Sequence, residues 1–104
     1  MCKIKFVKCN ALCPGFPDEK WEGYYTCDGK RFASRTKYTG YNSEKKEKPY
    51  RVSYDVYNAR KAWNDAGKPD SWRPYMFVAH FRTQAEAKKY AEDMAEFFAS
   101  VGLL

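Results

Sequence analysis

Near the N-terminus, polar and apolar residues alternate with a period of two. Ile4 and Phe6 are interleaved with Lys3, Lys5 and Lys8. Side chains two apart share a face of a strand, so residues 3–8 are expected to form a strand with the lysines mostly opposite Ile4 and Phe6. Residues 10–20 hold Pro14-Gly15 and Pro17-Asp18 and are expected to form a loop. A strong hairpin signal follows. Residues 21–27 and 30–37 flank Asp28-Gly29, a pair suited to a two-residue type I′ turn because both of its positions need positive φ. Across that turn Tyr25, Cys27, Lys30 and Phe32 are expected to face one another in alternating pairs.

The stretch 38–49 is polar, mixed in charge and closed by Pro49, which suits an exposed loop. In 50–56, Val52, Tyr54 and Val56 alternate with Arg51, Ser53 and Asp55, the pattern of another strand. Val56, Ala59, Ala62, Trp63 and Ala66 then recur at helical spacing before Gly67, so a short helix over 57–66 is expected, with Trp63 inward. Residues 72–82 are apolar on both faces from Tyr75 to Phe81, which predicts a central strand. Thr83 and Glu86 have capping-box spacing. Behind them Ala87, Tyr90, Ala91, Met94, Phe97, Phe98 and Val101 form one stripe, and Gly102 follows, so a helix over 84–101 is expected. The order β-β-β-β-α-β-α over one domain, residues 1–104, implies an α+β fold. Its antiparallel sheet of four or five strands would carry the long C-terminal helix on one face.

The stretch His80-Phe81-Arg82-Thr83-Gln84-Ala85-Glu86-Ala87-Lys88-Lys89-Tyr90-Ala91 resembles the strand-into-helix junction of phage integrase arm-binding domains and their plant counterparts. The resemblance implies a three-stranded DNA-reading sheet braced by one helix. The matching positions are those that a capping box and a helical stripe dictate, and no DNA-contacting residue carries over.

Charge is unevenly distributed. Residues 1–82 hold 17 Lys/Arg against 9 Asp/Glu, and the last 22 residues hold 2 against 4. Sixteen of the nineteen aromatic residues also lie in the basic part. Three clusters stand out: Lys3, Lys5 and Lys8; Lys30, Arg31, Arg35 and Lys37; and Lys45, Lys46, Lys48 and Arg51. Tyr24, Tyr25, Tyr38, Tyr41, Tyr50 and Tyr54 lie among them. Cations attract phosphate and flat rings stack on bases, so a sheet face bearing both is expected to bind nucleic acid. The expected contacts are Lys3, Lys5, Lys8, Tyr24, Lys30, Arg31, Arg35, Lys37, Tyr38, Tyr41, Lys45, Lys46, Lys48 and Arg51. The alternative is a protein partner. The chain would then be a phage- or mobile-element-type accessory protein of the anti-CRISPR kind, inhibiting a host protein or nucleoprotein complex and anchored by Trp21, Tyr41, Trp72 and Tyr75.

Catalytic chemistry has little to build on. The single histidine, His80, falls mid-strand with Met76 and Val78 on its face, which suits a core or half-buried residue better than a general base. Serine-hydrolase, zinc-protease and phosphate-loop motifs do not occur, so no enzymatic activity is expected. Four cysteines crowd into the first 27 residues, and three states are open to them. They could be reduced thiols, a zinc site on Cys9, Cys13 and Cys27 with Cys2 or His80 as fourth ligand, or disulfides. No apolar run is long enough to span a bilayer and no signal-peptide core is evident, so the cytoplasm and no membrane partner are expected.

Overall fold

The computed structural model describes residues 2–13 and 16–104, and the side chains of these except 10–13, 16 and 17. Among them the chain forms one five-stranded antiparallel meander in the order β1-β2-β3-β4-β5. The strands are β1 (Ile4–Cys13), β2 (Phe16–Cys27), β3 (Lys30–Tyr38), β4 (Tyr50–Tyr54) and β5 (Ala79–Phe81). Four helices interrupt or follow them: α1 (Ser43–Glu47), α2 (Ala59–Asp65), α3 (Arg73–Met76) and α4 (Gln84–Ser100). This is an α+β architecture with its helical layer on one side of the sheet.

The Asp28-Gly29 hairpin forms as expected, with φ of 50° and 85° at its two turn residues. Cys27 pairs with Lys30, but Tyr25 pairs with Ala33, because a bulge absorbs Phe32. That extra residue turns Phe32 and Ala33 both inward, and each is fully buried.

A second bulge lies between Trp21 and Gly23. Gly23 has φ of 150°, and a Cβ there would sit 2.1 Å from the Val7 carbonyl oxygen, so only glycine fits where β1 crosses. The bulge reverses the alternation of β2 and puts Trp21 on the face opposite Tyr25.

α4 begins on its capping box. The Glu86 N–H donates to Thr83 Oγ1 at 3.2 Å, and the Thr83 hydroxyl contacts Glu86 Oε1. Its buried stripe is Ala87, Ala91, Met94, Ala95 and Phe98. The small alanines let the helix approach the sheet closely, where it meets Phe32, Val52 and Ala33 in the common core. Phe98 meets Tyr54 edge-on, and Tyr90 meets Phe81.

Several expectations are corrected. The loop over 10–20 is replaced in its described part by strand, since Ala11 pairs with Trp21, Leu12 with Lys20 and Cys13 with Phe16; residues 14 and 15 lie outside the described residues. Pro17 is tolerated because β2–β3 pairing begins only at Glu19, so the missing N–H breaks no bond to β3. Within 38–49 a helical turn forms because Asn42 caps it, accepting from the Glu44 and Lys45 N–H groups.

The central strand over 72–82 is also overturned. Asp70–Trp72 is a 3₁₀ turn, Arg73–Met76 is helix, and only Ala79–Phe81 is strand, at the sheet edge. Pro74 suits the first turn of a helix and cannot donate to a ladder. The apolar residues flanking it pack on α4 instead: Tyr75 stacks on Phe97 at 4.8 Å, and Trp72 meets the same ring edge-on. The expected helix over 57–66 is shorter, Ala59–Asp65, with Trp63 buried. The three-stranded sheet implied by the integrase resemblance is a five-stranded one.

Candidate nucleic-acid interface

Residues paired across a sheet point to the same side, so the register fixes which side chains share a face. One face lies under α4 and carries Ile4, Phe6, Tyr25, Cys27, Ala33, Val52, Tyr54 and Phe81. The other face is away from α2, α3 and α4. It is laid out in cross-strand rows: Lys5, Thr26 and Arg31; Val7, Tyr24, Ser34 and Ser53; Trp21, Thr36, Arg51 and His80; Glu19 and Tyr38.

The centre of this open face is Arg31. Its guanidinium carbon lies 4.7 Å from the Tyr24 ring centre and 5.0 Å from that of Trp21. Its Nε donates to Asp55 Oδ2 at 2.9 Å and its Nη2 to Ser34 Oγ at 3.1 Å, and Ser34 also bonds Asp55. The plane is therefore held against two rings while 41% of the side chain stays exposed. An arginine plane so fixed is itself a surface on which a base can stack.

Beside it Arg51 donates to Thr36 Oγ1 at 3.0 Å. Its Nη2 also lies 3.0 Å from Glu19 Oε2, close enough to pair although that oxygen has no aligned hydrogen bond. His80 is exposed in the same row, a correction to the expected core or half-buried residue. Partial burial, then Arg51, Lys45 and Lys48, hold its pKa below the usual histidine value against the pull of Glu19. Lys45 and Lys46 of α1 lie over the Tyr38 and Tyr41 rings at 5.6 and 5.3 Å.

The structure divides the fourteen expected contacts. Lys5, Tyr24, Arg31, Tyr38 and Arg51 belong to the open face, with Tyr41, Lys45, Lys46 and Lys48 at its α1 end, Lys30 at the hairpin turn and Lys3 bonded beside that turn to Asp28. Lys8, Arg35 and Lys37 point to the α4 side. Lys8 thus shares the face of Ile4 and Phe6, as strict alternation from residue 4 demands. Arg35 is buried there, donating to Glu22 Oε1 at 2.8 Å and Tyr25 Oη at 3.0 Å. Tyr25 is core, and Tyr50 and Tyr54 pack against it. Trp72 and Tyr75 are fastened to α4, whereas Tyr41 is almost fully exposed. Trp21 and His80 are the open-face residues the nucleic-acid reading missed. The available signal for Trp21 was Gly23, since a glycine inside a strand often marks a bulge.

Cys2 and Cys27 are joined by a disulfide with a Cα–Cα distance of 5.4 Å. A bonded sulfur is no thiolate ligand, which takes Cys27 and one candidate fourth ligand out of the zinc set. Cys9 is free, and the Cys13 side chain is outside the described residues. Among the described residues no three His, Cys, Asp or Glu side chains are grouped to hold a metal, and no helix is long and apolar enough to cross a membrane. No protein family, characterised protein or solved structure matches the chain.

Proposed function

We propose that this protein is a small, non-catalytic nucleic-acid-binding domain that receives a single strand on its open sheet face. The observation that carries the reading is Arg31, whose guanidinium carbon is held over Trp21 and Tyr24 by bonds to Asp55 and Ser34, with Lys5 in the same cross-strand row. Such a surface supplies what a strand needs. Planes accept bases regardless of sequence, and Ser34 and Ser53 add small polar groups without bulk between them. Lys3 and Lys5 at one end and Lys45, Lys46 and Lys48 at the other would track the phosphates.

Fluorescence anisotropy with labelled single- and double-stranded oligonucleotides tests this. The reading expects the single strand to bind more tightly and its affinity to fall with salt, with a log–log slope of about −0.7 for each phosphate neutralised. Binding that ignores salt, or none at all, rejects it.

A protein partner is the second reading, favoured by exposed apolar groups away from the Arg31 cluster: Tyr57 at 99% exposure, and Phe77 and Val78 at nearly half. It would be a host protein or nucleoprotein complex that the domain inhibits. Its test is a pull-down from nuclease-treated host lysate, in which a stoichiometric protein must survive the nuclease.

A further inference from the structure

On the α4 side of the sheet, beyond the end of the helix, lies a groove of about 510 Å³ lined by Lys8, Lys20, Arg35, Lys37, Glu22 and Gln84 among others. Four cations face one carboxylate, and that carboxylate is already engaged by Arg35 at 2.8 Å. Among the described residues neither Lys8 nor Lys20 forms an ion pair. Like charges brought together without counter-charge repel, so their convergence is a cost that a bound anion would remove.

Arg35 is not a loose surface charge. Its side chain is 9% exposed, its Nε and Nη1 are held by Glu22 and Tyr25, and its guanidinium carbon stands 4.0 Å from the centre of the Phe6 ring. The planar fork is therefore fixed before any ligand arrives, which lowers the entropy lost on binding. Gln84 adds the first turn of α4, a 17-residue helix whose leading N–H groups have no acceptor within the helix and favour negative charge.

We infer that this groove is a binding site for a phosphate group carrying two negative charges, separate from the open sheet face. Arg35 adds a fixed cation whose Nη2 is not engaged by Glu22 or Tyr25, lysines add point charges, and the groove has the size of a small-ligand pocket, about 300–1,000 Å³. The phosphate could belong to a free phosphorylated metabolite or to the terminus of a nucleic-acid strand. Both present the same dianion.

The test is titration calorimetry with sodium pyrophosphate, against sodium chloride at matched ionic strength. The Lys8→Gln/Lys20→Gln protein is compared with a control of equal charge, Lys68→Gln/Lys88→Gln, which lies outside both the groove and the open face. All four lysines are exposed, and each variant is checked by its melting temperature. In parallel, a 5′-phosphorylated oligonucleotide is compared with its 5′-hydroxyl twin.

Saturable pyrophosphate binding, weakened roughly tenfold or more by the groove variant and little by the control, supports a small-ligand site. Preference for the phosphorylated strand, lost in the groove variant alone, supports a strand terminus. No pyrophosphate binding and no terminal preference, or equal losses in both variants, overturns the inference. Neither variant touches the open face, so pyrophosphate binding in a protein that shows no strand affinity would uphold the groove and reject the strand reading alone.

Discussion

Arg31 and Asp55 are joined at 2.9 Å, from the third strand to the segment just after the fourth, and this contact orients a guanidinium plane across Tyr24 and Trp21. The pair is part-exposed, so its direct contribution to stability is small, of order 0–1 kcal/mol. Its importance is geometric. A free arginine on a strand samples many rotamers, whereas one tied to Asp55 and Ser34 presents a single surface to a ligand.

Removing a stacking plane should weaken strand binding without unfolding the domain. Tyr24→Ala and Arg31→Lys are each expected to cost about 1–3 kcal/mol of binding free energy, the range for loss of a stacking contact. Arg31→Lys retains the charge, so its salt slope should match the wild type while affinity falls. Anisotropy titrations at several salt concentrations check both, with melting temperatures as the control.

His80 would give the proposed interface a pH dependence with a definite sign. Burial and then Arg51 hold its pKa below the usual value, so at pH 7 it is neutral. A phosphate brought to the open face would favour the protonated imidazole, so binding takes up a proton. Affinity should therefore rise as pH falls from 7 towards 5, by no more than about tenfold per unit for one linked proton, and His80→Gln should flatten that rise. The unliganded fold runs the other way. A depressed folded pKa contributes stability above the unfolded value that is lost as pH falls through the folded one. Titrations across this pH range, for wild type and variant, check the sign.

Much of this organisation was legible in the chain. Asp28-Gly29 could serve few purposes but a tight hairpin, and the stripe from Ala87 to Phe98 is a helix lying on a sheet. What failed depended on partners distant in sequence. Trp72 and Tyr75 share the apolar character of a buried strand, and only the presence of Phe97 and Tyr90 beside them makes the helical arrangement pack. The face of each cation was equally hidden. The bulge before Gly23 turns Trp21 outward, and the one at Phe32 decides that Arg31 faces the open side while Arg35 faces Phe6. A one-residue shift moves every later side chain to the opposite face, and local composition does not record it.

The Cys2–Cys27 bond closes a loop with a sequence separation of 25 and ties β1 to the end of β2. Its loss should cost about 3.5 kcal/mol on loop-closure grounds. Denaturant unfolding with and without dithiothreitol, and of Cys2→Ser, checks this: the reduced protein and Cys2→Ser should agree with each other and fall below the oxidised protein by that amount. Peptide mapping without reductant also bears on the compartment. The bond persists in an oxidising environment, and protein taken from a reducing cytoplasm would carry two thiols.

At the other end of the pH range Tyr90 sets a limit. Burial pushes its pKa up to about 12, and its hydroxyl donates to the Pro74 carbonyl. The unfolded tyrosine ionises near pH 10, so between about pH 10 and 12 the unfolded chain loses a proton that the fold retains. The stability from this group is whole below pH 10 and is lost as pH rises through its folded pKa. Tyr90→Phe should remove that part of the alkaline slope, at a cost of about 1 kcal/mol for the missing hydrogen bond. Chemical denaturation at stepped pH measures it.

The proposed seating of the strand on the sheet face opposite α4 is probed by an amide-resolved NMR titration with a short single-stranded oligonucleotide. Shifts are expected to concentrate at Lys5, Val7, Tyr24, Arg31, Ser34, Ser53 and His80, whose side chains share that face, and to spare Ala87, Ala91 and Met94 in the buried stripe of α4. Shifts centred on α2, α3 and α4 with the Arg31 cluster unmoved, or no shifts at saturating oligonucleotide, would contradict it.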